Sequence, residues 1–271
     1  MRVAYDLLVC DLDGTLIDQS LTLDPALVEA FRRAVSRGLL ISIATGRMPP
    51  GVDRYRDELG LTAPLIFYNG ALVRDPGSGR DLLSLTLPPG LLRGAYDIFA
   101  NAPVHPLFYR DDELYCLEPT GPIREYAADQ GVRVHAIPDP LDFLVLGAFV
   151  KSLFIGHPDA LPLVREDLQQ MAGARARLVM TRRDYLEMIP AEASKGTALR
   201  HLAAHLGIPL ERVIAVGDQE NDLEMIRAAG LGVAMPQAPD FVRQAAARVA
   251  PPPRAGGLVA LLREVLPERF A

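Results

Sequence analysis

The apolar run Leu7 to Cys10 ends abruptly in two carboxylates, Asp11 and Asp13, with Gly14 directly behind them. A short apolar run bounded in this way reads as a buried strand. Alternate side chains of an extended chain share one side, so Asp11 and Asp13 can enter the same site. Gly14 lets the backbone turn sharply straight after them. Two carboxylates this close repel each other and need a cation or a shared proton, and a hard ion such as Mg2+ suits oxygen donors. A calcium loop of the EF-hand type fails on spacing. Its sixth position must be glycine, and counting from Asp11 that position is Leu16.

The same run opens a strand–helix–strand alternation. Asp24-Pro25 reads as a helix N-cap followed by proline at the first helical position. Leu27, Ala30, Phe31, Ala34 and Val35 follow at helical spacing, and Gly38 ends the helix. Leu39 to Ala44 is a second apolar run, closing in Thr45-Gly46-Arg47. This order implies a right-handed βαβ unit and a parallel sheet. A mostly polar helix comes next, then a third strand from Pro64 to Tyr68. The Asn69-Gly70 that follows is read most simply as a turn, with a contact to the site as the alternative.

From about Asp75 the pattern changes to alternating segments of antiparallel character. Strands are expected at Leu83 to Leu87, Leu107 to Tyr109, Glu113 to Leu117, Val150 to Ile155, Leu178 to Thr181 and Tyr185 to Ile189. Helices are expected at Leu91 to Phe99, Pro122 to Gln130 and Ala160 to Met171. The α/β rhythm then returns. Ser194-Lys195-Gly196 opens a helix ended by Gly207, and Arg212 to Val216 is a strand running into Gly217-Asp218-Gln219-Glu220-Asn221-Asp222. A helix to Ala229, with Gly230 as its C-cap, leads to the strand Leu231 to Ala234, and two short helices finish the chain. The expected fold class is therefore α/β, a Rossmann-like parallel-sheet core with an inserted α+β domain. The boundaries drawn are 1–82 and 187–271 for the core, 83–186 for the insert.

Composition narrows the function. Among 271 residues the net charge is −6, so an electrostatic nucleic-acid footprint is not expected. No apolar run approaches the ~18 residues of a membrane span and no signal pattern opens the chain, so neither a membrane partner nor export is expected. The two cysteines, Cys10 and Cys116, suggest no disulfide scaffold, and a cytoplasmic location fits. Only Lys151 and Lys195 break an otherwise all-arginine set of basic residues.

Three strand ends carry polar groups of complementary kinds: Asp11 with Asp13, Thr45, and Asp218. Lys195 joins them from a helix start. In open α/β sheets ligands bind outside the carboxyl ends of the strands, so these groups are expected to converge. Each has a plainer explanation alone. Thr45-Gly46 is an ordinary strand-end turn, Lys195 a solvated lysine, and Asp218, Asn221 and Asp222 offer N-caps. One cap accounts for one acidic or amide residue, not for three behind a buried strand. His201 and His205 stand four residues apart, but no HExxH glutamate lies between them, and they are read as structural. No Walker A sequence and no GxGxxG is present.

The four segments DLDGTL (Asp11 to Leu16), ATGR (Ala44 to Arg47), SKG (Ser194 to Gly196) and GDQEND (Gly217 to Asp222) resemble, in that order, the motifs of the haloacid dehalogenase superfamily. The insert between the second and third looks like the type IIB (C2B) cap of Cof-type phosphatases. The resemblance implies a Mg2+-dependent phosphatase of the phosphoric monoester hydrolase kind. Its substrate would be a small phosphorylated metabolite, a sugar phosphate or a phosphorylated cofactor. Asp11 would be the nucleophile forming an aspartyl-phosphate, and Asp13 the general acid and base. Thr45, Gly46 and Lys195 would hold the phosphate. Asp11, the backbone carbonyl of Asp13, and Asp218 would ligate the metal, with Asn221 and Asp222 in support. A phosphotransferase such as a phosphomutase shares this nucleophile and acid, and a non-catalytic phospho-ligand binder shares the fold. The presence of Asp11, Asp13 and Asp218 weighs against the binder.

Overall fold

The computed structural model describes residues 4–253 and 257–270. The chain divides into two compact units, one made of Met1–Gly46, Val52–Leu83 and Ser194–Ala271, the other of Arg47–Gly51 and Ser84–Ala193. The first begins with β1 (Leu7–Cys10), α1 (Pro25–Ser36), β2 (Leu40–Ile43), α2 (Asp53–Leu59), β3 (Leu65–Phe67), β4 (Leu72–Arg74) and β5 (Asp81–Ser84). The insert follows as α3 (Leu91–Ala100), β6 (Val104–Arg110), β7 (Glu113–Cys116), α4 (Gly121–Gln130), β8 (Val134–Ala136), α5 (Pro140–Leu146), β9 (Lys151–Gly156), α6 (Leu161–Ala172), β10 (Ala176–Arg182) and β11 (Tyr185–Pro190). The chain then completes the first unit with α7 (Lys195–His205), β12 (Val213–Gly217), α8 (Leu223–Ala228), β13 (Leu231–Ala234), α9 (Asp240–Ala245), β14 (Arg248–Val249), α10 (Gly257–Val265) and α11 (Pro267–Phe270).

The first unit is the Rossmann-like core. Its five strands run in the order β14-β13-β12-β1-β2, all parallel. Every residue of β1 is fully buried, as a strand covered on both faces must be. Leu7 and Val9 pack with Val213 and Ala215 beneath the apolar stripe of α7, Ala198, Leu199, Leu202 and Ala203. The Asp24 side chain caps α1 by accepting from the Ala26 amide, with Pro25 at the first position, as the sequence implies. Phe31 of α1 meets Phe270 edge-on, ring centroids 6.0 Å apart.

Three local expectations change. The third strand is not a full member of the parallel sheet. β3 pairs antiparallel with β4 in a separate three-stranded sheet, tied to the core sheet by the parallel bridge Ala44–Ile66. The strand expected at Leu83 to Leu87 is β5, two residues earlier, because Leu87 is drawn into the apolar core of the insert and its amide bonds Phe149 O. Gly230 is not a left-handed C-cap; α8 ends at Ala228 with Ala229 as its C-cap.

The second unit is the α+β insert. Its six strands run in the order β10-β11-β9-β6-β7-β8 and are mainly antiparallel. Asp111 and Asp112 close the β6–β7 hairpin with φ of 55° and 57°, the pair of left-handed residues that a two-residue hairpin loop demands. One face of the sheet, through Phe108, Phe154, Leu186 and Met188, packs on α3, α5 and α6 through Ala95, Phe99, Leu144, Val164 and Leu168. β8 and α5 were not expected from the sequence. No described helix is long and apolar enough to cross a membrane.

Candidate active site

The site lies in the first unit, at the carboxyl ends of β1 and β12 and the start of α7. β1 delivers Asp11, whose amide donates to Val216 O of the neighbouring strand. Gly14 adopts φ +88°, and a Cβ there would stand 2.4 Å from Asp218 Oδ2, so only glycine allows the two loops to meet. Asp218 is the first residue past β12. It accepts from Thr15 Oγ1 at 3.4 Å and from Gln219 Nε2 at 3.0 Å. Asp222 turns one oxygen back to the amides of Asp218 and Gln219, both at 2.9 Å, and so folds the acidic loop on itself.

Lys195 opens α7 behind Ser194, the N-cap, which accepts from the Thr197 amide and donates to Glu224 Oε2 at 2.6 Å. From that anchor the ammonium reaches Asp11 Oδ1 at 2.5 Å and Asp222 Oδ1 at 2.7 Å. All three groups are buried. Burial pulls the Lys195 ammonium toward its neutral form, but the charges of Asp11 and Asp222 outweigh it and leave its pKa raised. Burial raises the pKa of Asp11 well above the carboxylate range, against the pull of Lys195, and the charges of Asp222, Asp218 and Asp13 add to it. Asp218 is pushed up to about 6, by burial first and by Asp222 second.

Ligand oxygens of Asp11, Asp218 and Asp222 all lie within 4.8 Å of one another. Three carboxylates against one ammonium leave two negative charges uncompensated, the amount a divalent cation supplies. Asp11 Oδ2 is also buried with no hydrogen-bond partner. An all-oxygen donor set with an orphaned buried oxygen fits a hard cation such as Mg2+.

The other expected residues take varied positions. Thr45 is buried at the end of β2, its amide donating to Ile66 O, and Gly46 follows it. The Asp13 side chain is exposed and is not one of the three clustered carboxylates. Asn221 donates to Asn69 Oδ1 at 2.9 Å. The second lysine, Lys151, belongs to the insert, where it pairs with Glu187 at 3.0 Å. From the sequence alone Asp222 ranks below Asp218, as a supporting residue, and Asn69 offers a site contact only as the alternative to a turn. Only the folded loop discloses that Asp222 shares Lys195 with Asp11.

A buried ammonium shared by carboxylates, set at the carboxyl edge of a parallel sheet with an α+β unit inserted in the chain, defines a hydrolase of the phosphoryl-transfer kind. The chain belongs to the haloacid dehalogenase-like hydrolases, whose family model matches residues 8–262. It is 33% identical to the putative phosphatase YxeH of Bacillus subtilis over 89% of this chain and 91% of that one. It is 29% identical to the 5-amino-6-(5-phospho-D-ribitylamino)uracil phosphatase YitU of the same organism, over 95% and 96%. Among solved structures, a haloacid dehalogenase-like hydrolase from Bacteroides thetaiotaomicron superposes with a TM-score of 0.88 at 26% identity, covering 97% of this chain and all of that one. The protein is an enzyme with phosphatase activity toward a small phosphorylated compound.

Proposed function

We propose that the protein is a Mg2+-dependent phosphatase that hydrolyses a sugar phosphate or a phosphorylated cofactor precursor through an aspartyl-phosphate. One observation carries the reading: Lys195 holds one oxygen of Asp11 while the other oxygen stays buried and without a partner. A carboxylate whose ionised form a lysine favours against burial, with one oxygen not consumed by hydrogen bonds, suits both coordination and attack. Mg2+ would be held by Asp11, the Asp13 carbonyl and Asp218, and when bound it offsets the repulsion between an anionic nucleophile and an anionic phosphate.

The residues of the chain divide the remaining work. Asp11 forms a bond to phosphorus as the bond to the leaving oxygen breaks, and Asp13 delivers a proton to that oxygen. Asp13 then takes a proton from water as the water oxygen bonds to phosphorus and the bond to Asp11 breaks, which frees inorganic phosphate, returns Asp11 to its carboxylate and leaves Asp13 protonated for the next turnover. Thr45 and Gly46 offer a hydroxyl and a backbone amide to the transferring oxygens, and Lys195 offers charge. The likeness to YitU, named for a phosphorylated ribityl compound, supports a substrate with a polyol or heterocycle beside its phosphate.

The test is phosphate release from a panel of sugar phosphates, nucleotides and phosphorylated cofactor precursors, with and without Mg2+, beside Asp11→Asn. Metal-dependent turnover of a few related compounds, lost in the variant, is expected. Full activity in Asp11→Asn, or turnover indifferent to chelation, would refute the reading.

A further inference from the structure

Three consecutive residues leave β3 in the left-handed region: Tyr68, Asn69 and Gly70 have φ of 52°, 55° and 97°. Two of them are not glycine, so their surroundings must hold the turn in place. The surroundings are dense, and Asn69 is only 2% exposed. Gly70 lies against the start of α7. A Cβ there would come within 2.1 Å of Ser194 O and 2.9 Å of the Lys195 amide nitrogen. The turn therefore seats on the peptide that launches Lys195 toward Asp11.

Asn69 reaches two more parts of the site. Its amide donates to Thr45 O at 2.9 Å, and a Cβ on Gly46 would lie 3.1 Å from its Nδ2. Its Oδ1 accepts from Asn221 Nδ2 at 2.9 Å. Asn221 stands in the acidic loop between Asp218 and Asp222, and its own Oδ1 is buried without a hydrogen-bond partner, so the bond to Asn69 is the link that orients its carboxamide. One buried residue thus meets the Thr45-Gly46 turn and the acidic loop, and its neighbour meets the origin of α7.

We propose that Asn69 is a positioning residue of the reaction centre, an inference that rests on the phosphatase reading above. Through Asn221 it holds the Asp218–Asp222 loop in register with Thr45 and Gly46, so that cation ligands and phosphate-binding groups face one point. A carboxamide suits the place for two reasons. It offers Asn221 an acceptor, and it adds no charge to a centre already carrying an excess of carboxylate. It also tolerates the left-handed turn better than most side chains.

The test uses Asn69→Gly, which keeps the left-handed backbone accessible and deletes only the carboxamide. It is compared with Asn221→Ala and with the double variant. Calorimetric titration with Mg2+ alone, and with inorganic phosphate in the presence of Mg2+, reads the site without turnover. Hydrolysis of p-nitrophenyl phosphate reads it with turnover. Each single variant should weaken Mg2+ and phosphate binding by about tenfold, and the double should fall no more than about twofold below the weaker single, since both break one link. The thermal midpoint should stay within a few degrees of the parent. Parent-like affinities in Asn69→Gly, or fully multiplicative losses in the double, would overturn the proposal. A parent that binds Mg2+ and phosphate yet cleaves no ester overturns the phosphatase reading and leaves this test standing. A parent that binds neither overturns both.

Discussion

Lys195 Nζ stands 2.5 Å from Asp11 Oδ1, across 184 residues of chain that include the whole insert. The lysine opposes the burial that would otherwise keep Asp11 protonated. Lys195→Met should therefore raise the Asp11 pKa further, and ionised Asp11 should be reached only at higher pH. The expected result is a fall in kcat/KM of roughly a hundredfold or more at pH 7, with the acidic limb of the pH–rate profile displaced upward. A proportional loss at every pH would instead assign Lys195 to phosphate binding alone.

Asp13 sits outside the carboxylate cluster and is exposed. As the proton donor to a leaving alcohol, it matters most when that alcohol is a poor leaving group. Asp13→Asn should cost about 10²–10⁴ in kcat/KM on an alkyl phosphate and much less on p-nitrophenyl phosphate, whose leaving group needs little protonation. Equal losses on both substrates would count against the acid role.

The cluster also sets a pH dependence of stability. Asp218 ionises at about 6 in the folded protein against an ordinary 3.8. A raised acid pKa means that the native state holds a proton the unfolded chain releases. Its contribution is thus complete below 3.8 and is lost as pH climbs toward 6, by on the order of 3 kcal/mol. A divalent cation reverses the sign, since it binds the ionised carboxylates and only in the folded state. Mg2+ should raise the melting temperature more at pH 8 than at pH 5, measured against protein in chelator. Equal shifts at both pH values would contradict the assignment.

Much of this arrangement was legible in the chain. β1 declared itself because an apolar run buried on both faces has no helical reading at that length, and α1 because cap, proline and stripe agreed. Asp11, Asp218 and Lys195 were found because they stand at element ends, where parallel sheets gather ligands. The equal standing of Asp222 was not legible, since it depends on a loop folding back onto its own amides. Asn69 was legible only as an alternative, for a similar reason. Asn-Gly is a common turn, and its place beside Gly46 and Asn221 comes from tertiary contacts. The boundary drawn at 186/187 falls inside β11, in the middle of its register with β9. The α/β rhythm marks where the core resumes, not which strand pairs with which.

Lys151 and Glu187 offer the last prediction. They form a buried pair on adjacent strands of the insert at 3.0 Å, with Thr181 Oγ1 donating to Glu187 at 3.3 Å and the Tyr109 ring 4.6 Å from the ammonium. Such a pair repays its desolvation only while both partners are present. Lys151→Met alone strands a buried carboxylate, and Glu187→Gln alone strands a buried ammonium. Each should cost about 3–5 kcal/mol in denaturant unfolding of the insert. The double variant Lys151→Met with Glu187→Leu removes both charges and keeps comparable volume, so it should recover most of that loss. The only other lysine in the chain, Lys195, gives the contrast. It faces two carboxylates, Asp11 and Asp222, and Asp222 also accepts from the Asp218 and Gln219 amides, so pairing Lys195→Met with Asp222→Leu should recover little stability and leave the enzyme inactive. Recovery of stability and activity together would mean that the Lys195 pair, too, serves only the fold.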